Sequence, residues 1–333
     1  MMRASKEVLQ AAIMGFVIPM IILTAVILLY LPGRTESVPS TDPTATTVPT
    51  ESIMQQKPQS MQLDILMDGV EMKIDLEEYV LGVVLSEMPA SFQLEALKAQ
   101  AVAARTYALL ICSDGSKHAG AICNRHSCCQ GYMTREDYLQ LGWSERYIER
   151  VRGAVDATAG QVLTFEGELI RSPYFSCSGG ATEAAITVWG RDYPYLQSVE
   201  SPGEEETVYY THSKVYTFDQ FQETLGVSLS GTPASWFGEI TYTTGGGIQT
   251  MVIGGVEYRG TTLRSLLALR STVFQVVVTE NAICFETKGY GHRVGMSQYG
   301  AEAMAKEGSA YTQILSHYYV GTSLIDVSGL QLP

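Results

Sequence analysis

Leu76-Glu-Glu-Tyr-Val-Leu-Gly-Val-Val-Leu-Ser-Glu-Met-Pro89 is an apolar helix brought to a stop by a proline. Helical backbone is disfavoured at Met88, the residue before Pro89, so the predicted helix runs from Leu76 to Glu87. Upstream, Met61-Gln-Leu-Asp-Ile-Leu-Met67 and Glu71-Met-Lys-Ile-Asp-Leu76 alternate around Asp68-Gly69, a hairpin signature. Downstream, a segment rich in Ala, Leu and Gln predicts a second helix from Leu94 to Ile111. It carries Lys98 and Arg105, seven residues apart and therefore on one face. A third helix is expected over Ser144–Thr158, stopped by Gly160.

Beyond Gly160 the pattern turns to strands. Gln161–Phe165 and Leu169–Phe175 flank Glu166-Gly167-Glu168 as a second hairpin, and strands and loops continue through Thr241–Tyr258, with turns at Gly245-Gly246-Gly247 and Gly254-Gly255. A short helix at Leu263–Leu269, strands at Phe274–Thr279 and Ala282–Lys288, a helix from Ser297 to Glu307 and the Tyr311–Tyr319 segment complete the chain. Helices and strands in mixed order, without a βα repeat, give an α+β class: one mixed helix/sheet domain over 61–333, with a strand-rich subdomain at about 200–260.

The N-terminus differs in kind. Ala11 to Leu31 contains no charged residue, and about twenty helical residues rise roughly 30 Å, enough to cross a bilayer core. A cleaved signal peptide has an apolar region of only ~7–15 residues and small residues at its cleavage site. Leu28-Leu29-Tyr30-Leu31-Pro32 offers no such site, so a transmembrane helix is expected over 11–31. Arg3 and Lys6 mark 1–10 as a cytoplasmic tail. Residues 32–60, rich in Pro, Ser and Thr, predict a disordered tether. The expected protein is therefore a single-pass membrane protein with its folded domain outside the cytoplasm. A net charge of −13 over 333 residues argues against nucleic acid as partner but leaves room for a glycan, which is held by hydrogen bonds and stacking.

Several features carry chemistry. Glu87 ends its helix, and Lys98 and Arg105 follow on the next. Ser176-Cys-Ser-Gly-Gly180 follows a strand, and Gly289-Tyr-Gly-His-Arg-Val-Gly-Met-Ser-Gln298 leads into a helix. His118-Ala-Gly-Ala-Ile-Cys-Asn-Arg-His-Ser-Cys-Cys129 crowds two histidines and three cysteines into one loop. Thiolate and imidazole are the ligand set of zinc, while a disulfide or free thiols are the alternative reading of the same residues.

These blocks resemble the SpoIID/LytB family of peptidoglycan lytic transglycosylases. The resemblance runs from Leu76 to Tyr319 and includes Leu76–Pro89, Ala96-Leu-Lys-Ala-Gln-Ala-Val-Ala-Ala-Arg-Thr-Tyr107, Pro173-Tyr-Phe-Ser-Cys-Ser-Gly-Gly-Ala-Thr-Glu183, Val188-Trp-Gly190, Pro194-Tyr-Leu-Gln-Ser-Val199 and Gly289–Ala301. Cys177 departs from the family's Thr or Ser but remains small. The resemblance implies cleavage of the MurNAc–GlcNAc bond to 1,6-anhydro-MurNAc ends, on denuded glycan strands, during engulfment in sporulation. Glu87 would be the single catalytic acid/base, and Lys98, Arg105, Ser176, Ser178, Tyr290, His292 and Gln298 would bind substrate. Some members of clostridial type hold zinc near the catalytic Glu through two Cys and a His. That arrangement maps onto His118, Cys123 and Cys129, with Cys128 and His126 in reserve and an open fourth position towards the groove. The resemblance also implies the partners SpoIIP and SpoIIM and a place in the mother-cell engulfing membrane, facing the intermembrane space. A non-catalytic glycan-binding scaffold and a zinc amidase are the competing functions.

Overall fold

The hairpin expected around Asp68-Gly69 forms. Strands β1 (Gln62–Met67) and β2 (Val70–Asp75) pair antiparallel, from Gln62 opposite Asp75 to Met67 opposite Val70. Asp68 and Gly69 both take positive φ, 49° and 91°, which a two-residue turn between twisted strands requires. The computed structural model of the chain describes residues 61–115 and 117–330. The predicted tail over 1–10, anchor over 11–31 and tether over 32–60 lie outside the described residues. Among the described residues no helix is long and apolar enough to cross a membrane.

Asp75 turns the chain from strand to helix. Its carboxylate accepts from the N–H groups of Glu77 and Glu78 at 2.9 and 3.2 Å, capping α1 (Leu76–Glu87). Tyr79, Val80, Val83 and Val84 on α1 are wholly buried. The ring of Tyr132 packs on Gly82 so closely that a Cβ there would lie 2.3 Å from it. The helix ends as expected, with Met88 extended ahead of Pro89. Helix α2 (Leu94–Asp114) runs three residues beyond the predicted end and stops at Gly115 in the left-handed region, φ 60°. Strand β3 (Ile122–Cys123) then joins β1 in parallel. Helix α3 (Arg135–Gln140), absent from the sequence expectation, is started by a Thr134/Asp137 capping box, and α4 (Glu145–Asp156) follows. The buried alanines of α2, among them Ala99, Ala101, Ala103 and Ala104, let α1 and α4 approach closely.

Strands β4 (Gln161–Phe165) and β5 (Glu168–Leu169) make the second hairpin, but the predicted Leu169–Phe175 strand is broken. Pro173 has no N–H to give a ladder. After it, β6 (Tyr174–Phe175) leaves the hairpin for a partner elsewhere. The chain continues through β7 (Gly180–Ala181), α5 (Ala185–Trp189) and β8 (Glu200–Ser201), which pairs with β7.

Strand β9 (Thr211–Thr217) opens a second hydrophobic core. Helix α6 (Phe218–Leu225) corrects the expectation of strands and loops here: a Thr217/Gln220 capping box starts it and Gly226 ends it. Strands β10 (Phe237–Tyr242), β11 (Ile248–Ile253) and β12 (Val256–Arg259) form an antiparallel meander. Helix α7 (Gly260–Leu266) starts three residues before the predicted one. Strands β13 (Val273–Val278) and β14 (Ala282–Lys288) then pair with each other, and β14 also with β9. Phe221, Trp236, Met251, Leu263, Phe274 and Phe285 fill the space between.

Strand β15 (Met296–Ser297) receives β6 in parallel, Tyr174 opposite Met296 and Phe175 opposite Ser297. Two sequence blocks more than a hundred residues apart are thereby laid side by side. Helix α8 (Gln298–Lys306), capped by Ser297, and α9 (Tyr311–Tyr318) pack on α2, and β16 (Ser323–Asp326) closes onto β4.

Two buried carboxylates lock the junction. Glu204 accepts from Ser178 N–H at 2.7 Å, Ser178 Oγ at 2.8 Å, Cys177 Sγ at 3.1 Å, Gly179 N–H at 3.1 Å, Ser201 Oγ at 2.8 Å and Ser297 Oγ at 2.5 Å. Glu183 pairs with Arg293 at 2.8 Å. The same guanidinium donates to the carbonyls of Ser178, Ala181 and Gly245, tying the Gly-rich turn to the strand-rich half.

A second ion pair braces the helical core. Arg105 is wholly buried, bonded to Glu77 and to the Gln161 carbonyl at 3.1 Å. Arg105→Ala strands Glu77 without its cation and should destabilise the fold by about 3 kcal/mol, read from denaturant unfolding. A residue that served only substrate would leave stability unchanged and lower glycan affinity instead.

Candidate active site

Glu87 is the last residue of α1, and its carboxyl opens into a cleft of about 1200 Å³. Gly131 donates its backbone N–H to Oε1 at 2.5 Å. Burial raises the carboxyl above its usual range, and the Gly131 bond and the nearby His126 only partly oppose this. A helix C-terminus, with its partial negative charge, acts in the same direction as burial. The Glu87 backbone carbonyl accepts from Gln298 Nε2 at 3.0 Å, which joins α1 to the start of α8.

The cleft walls are aromatic. Tyr138, Trp143 and Tyr147 form one group, with ring centroids 6.0 and 6.2 Å apart. Tyr209, Tyr290 and Tyr299 form another, at 5.9 and 5.5 Å, and Trp189 stacks near His292 at 5.4 Å. Trp143 and Trp189 are 53% and 44% exposed, so large apolar surface is open to the cleft. Arg171 and Arg191 add two cations. Among the described residues lining the cleft, Glu87 is the sole carboxylate.

The structure brings together Glu87, Ser176, Tyr290, His292 and Gln298, all in the cleft wall. Three predicted residues stand elsewhere and are corrected. Arg105 is in the core on Glu77. Lys98 bonds Glu95 at 2.6 Å and lies 5.6 Å over the Tyr311 ring, bracing α2 against α9. Ser178 is buried beneath Glu204. Seven-residue spacing put Lys98 and Arg105 on one helix face, but that face meets other elements rather than the groove.

His292 is a structural clamp. Its Nδ1 accepts from Val294 N–H at 3.1 Å, and burial followed by the charge of Arg264 lowers its pKa to about 4, against a hydrogen bond to the Tyr174 backbone. It is therefore neutral at physiological pH and holds the Gly289–Gly295 turn against β6. Missing from the sequence reading are Tyr138, Trp143, Tyr147 and Tyr209 of the aromatic walls, Gly131, Gln130 and Glu204. Tyr290 was among the candidates, and Trp189 and Tyr299 lay within the Val188-Trp-Gly190 and Gly289–Ala301 blocks.

The Cys/His loop folds beside the cleft. Ligand atoms of His118, Cys123, Cys128 and Cys129 all lie within 4.8 Å of one another, with His118 Nε2 to Cys128 Sγ at 3.3 Å and Cys128 Sγ to Cys129 Sγ at 4.0 Å. Zinc held tetrahedrally at about 2.3 Å from sulfur sets its donors about 3.8 Å apart, so the set fits the ion. Three ligands with an open fourth position were expected. Cys128 supplies a fourth donor, and Cys₃His is the closed, structural type. His126 stays outside the cluster and lines the cleft instead. The loop ends at Gln130 and Gly131, so whatever rigidifies it also positions the donor to Glu87.

Residues 69–165 match the family model described as stage II sporulation protein. Stage II sporulation protein D of Bacillus amyloliquefaciens is 40% identical over 258 residues, covering 75% of this chain and 74% of that one. Its counterpart in Bacillus subtilis strain 168 is 41% identical over 258 residues, with the same shares. The amidase enhancer of Bacillus subtilis is 29% identical over 297 residues, 73% of this chain but 40% of that longer protein.

Gly131 offers a direct test of the site's geometry. A Cβ there would sit 2.8 Å from Glu87 Oε1 and 2.7 Å from Ser86 Oγ, too close for either to stay. Gly131→Ala should keep the fold by circular dichroism while any reaction that uses the Glu87 carboxyl slows about 10²-fold, the scale of a 1 Å misplacement.

Proposed function

The chain belongs to the stage II sporulation protein D family, a family of sporulation proteins, and from that premise we propose that it is a lytic transglycosylase of peptidoglycan. The observation that carries the reading is a single carboxyl, with its pKa raised by burial, in an aromatic cleft that offers no second carboxylate among its described residues. Ordinary glycosidases need two, one as acid and one to attack the sugar or activate water. Aromatic walls suit stacking on sugar rings.

One carboxyl suffices if the substrate supplies its own nucleophile. Protonated Glu87 gives its proton to the glycosidic oxygen as the muramyl C1–O bond breaks, releasing the GlcNAc side as an alcohol. The resulting Glu87 carboxylate then takes the proton from the muramyl C6 hydroxyl as that oxygen bonds to C1. The 1,6-anhydro ring closes, Glu87 is protonated again, and no water is consumed. A raised pKa favours the first step by keeping the proton available. The Gly131 N–H stabilises the carboxylate between the steps.

His118, Cys123, Cys128 and Cys129 would hold a zinc ion, whose contribution when bound is to stiffen the loop leading to Gly131. The purified full-length chain should then contain about one zinc by elemental analysis, and Cys128→Ser should lose it. Full zinc content in Cys128→Ser would restore the three-ligand arrangement.

The apolar 11–31 segment supports anchoring in the membrane, with the domain outside the cytoplasm facing the wall during engulfment. SpoIIP and SpoIIM are the partners proposed on family grounds, and strands denuded of stem peptides the substrate.

Incubated with denuded glycan, the full-length chain should yield anhydro-muramyl ends by mass spectrometry, and Glu87→Gln should lower the rate by ~10²–10⁴. Hydrolysed ends or released peptides would contradict the reaction, as would near-normal turnover by Glu87→Gln. Glycan binding without cleavage by the unaltered chain would leave a scaffold.

A further inference from the structure

Gln130, beside the residue that donates to Glu87, is a buried amide with its orientation set by chemistry. Its Nε2 lies 3.4 Å from the Ala104 carbonyl, which can only accept, so nitrogen must face that side. The same Nε2 therefore donates to the Tyr174 hydroxyl at 3.0 Å, while Oε1 accepts from the Tyr79 hydroxyl at 3.1 Å. The relay runs in one direction: Tyr79 to Gln130, and Gln130 to Tyr174. The phenol oxygen of Tyr174 is thus already an acceptor, and its own proton has no acceptor among the described residues. Tyr174 lines the cleft and lies near enough to Glu87 for the carboxylate charge to act on it, yet the two share no hydrogen bond. Pairing of β6 with β15 holds the backbone in register, and Pro173 braces it from both sides, its carbonyl accepting from Met296 N–H and, at 2.9 Å, from Tyr319 Oη.

A phenol with a fixed lone-pair partner and a free proton, facing a cleft beside a general acid, is a hydrogen-bond donor waiting for an oxygen. We propose that Tyr174 is a second substrate-contacting catalytic residue, donating its phenolic hydrogen bond to an oxygen of the sugar bound at Glu87. The proposal rests on the glycan-cleaving reading for the identity of that sugar. The donor's direction comes from Gln130 alone. Tyr174 does not exchange its proton in this role: it orients the ring across the carboxyl, while Glu87 carries out both proton transfers.

The test uses binding, so that it does not depend on the reaction. In the full-length Glu87→Gln chain, adding Y174F should weaken the affinity for denuded glycan by about 5- to 10-fold, the value of one hydrogen bond. Adding Y79F instead leaves the buried amide equally short of a partner but keeps the Tyr174 proton, and should change affinity less than about 2-fold. Unchanged affinity on adding Y174F, or equal losses for both variants, would overturn the proposal and reduce the relay to packing. Should Y174F fail to fold, 3-fluorotyrosine at position 174 keeps the ring and both hydrogen bonds and is a stronger donor. Tighter binding is expected from it, and weaker or unchanged binding would overturn the proposal. If the unaltered chain leaves no anhydro ends yet Y174F still weakens binding, the reaction is wrong while the Tyr174 hydrogen bond to the sugar stands.

Discussion

Gly131 donates its N–H to Glu87 across 2.5 Å, at a point where a helix built to be buried ends on a carboxyl. Much of the surrounding architecture follows from making that placement tolerable. The helix needs its apolar faces covered, which α2, α4 and the Tyr132 ring provide. The carboxyl needs one donor but not a cation, because a salt bridge would lower the pKa that a general acid requires to be high. A glycine is needed opposite, because any side chain at 131 would take the space of the carboxylate itself. The loop delivering Gly131 begins at the His118/Cys123/Cys128/Cys129 cluster, so its stiffness is set one short segment away.

Other buried carboxylates in the chain do the opposite job. Glu204, surrounded by hydroxyl, thiol and amide donors, and Glu183, paired with Arg293, are acceptors that gather loops rather than donors of protons. They hold the Ser176–Gly180 turn against the Gly289–Gly295 turn, and with β6 on β15 they build the wall facing Glu87. Arg105 with Glu77 does similar work in the helical core. Among the described residues lining the cleft, the one acid, Glu87, has neither a cation nor a full set of donors.

How much of this was legible in the sequence depends on the range of the forces involved. The first hairpin, α1, α2, α4 and α8 were readable because a turn, a proline or a glycine marks each end locally. Helix α6 was not, since its Thr217/Gln220 capping box lay in a segment dominated by strand-like residues. Glu87 was identified through resemblance; its helix-end position alone would have suggested a solvated residue. Lys98 and Arg105 were placed on the correct helix and face but not in the correct environment, because nothing in their spacing reveals what packs there. The placement of Tyr174 depends on β6 leaving its hairpin for β15, a parallel pairing across more than a hundred residues that no local signal encodes. Cys128 appears as a fourth donor only once the loop closes in space.

Burial in this fold raises the Glu87 carboxyl above its usual range. Carbon-13 NMR of the full-length chain labelled in its glutamate carboxyls, with the Glu87 signal assigned by its loss in Glu87→Gln, measures this directly across a pH titration. The account predicts a midpoint for Glu87 clearly above the ~4.3 of an unperturbed glutamate. A midpoint at or below that value would contradict it, since burial would then not outweigh the Gly131 hydrogen bond and the raised pKa on which the general-acid role rests would be absent.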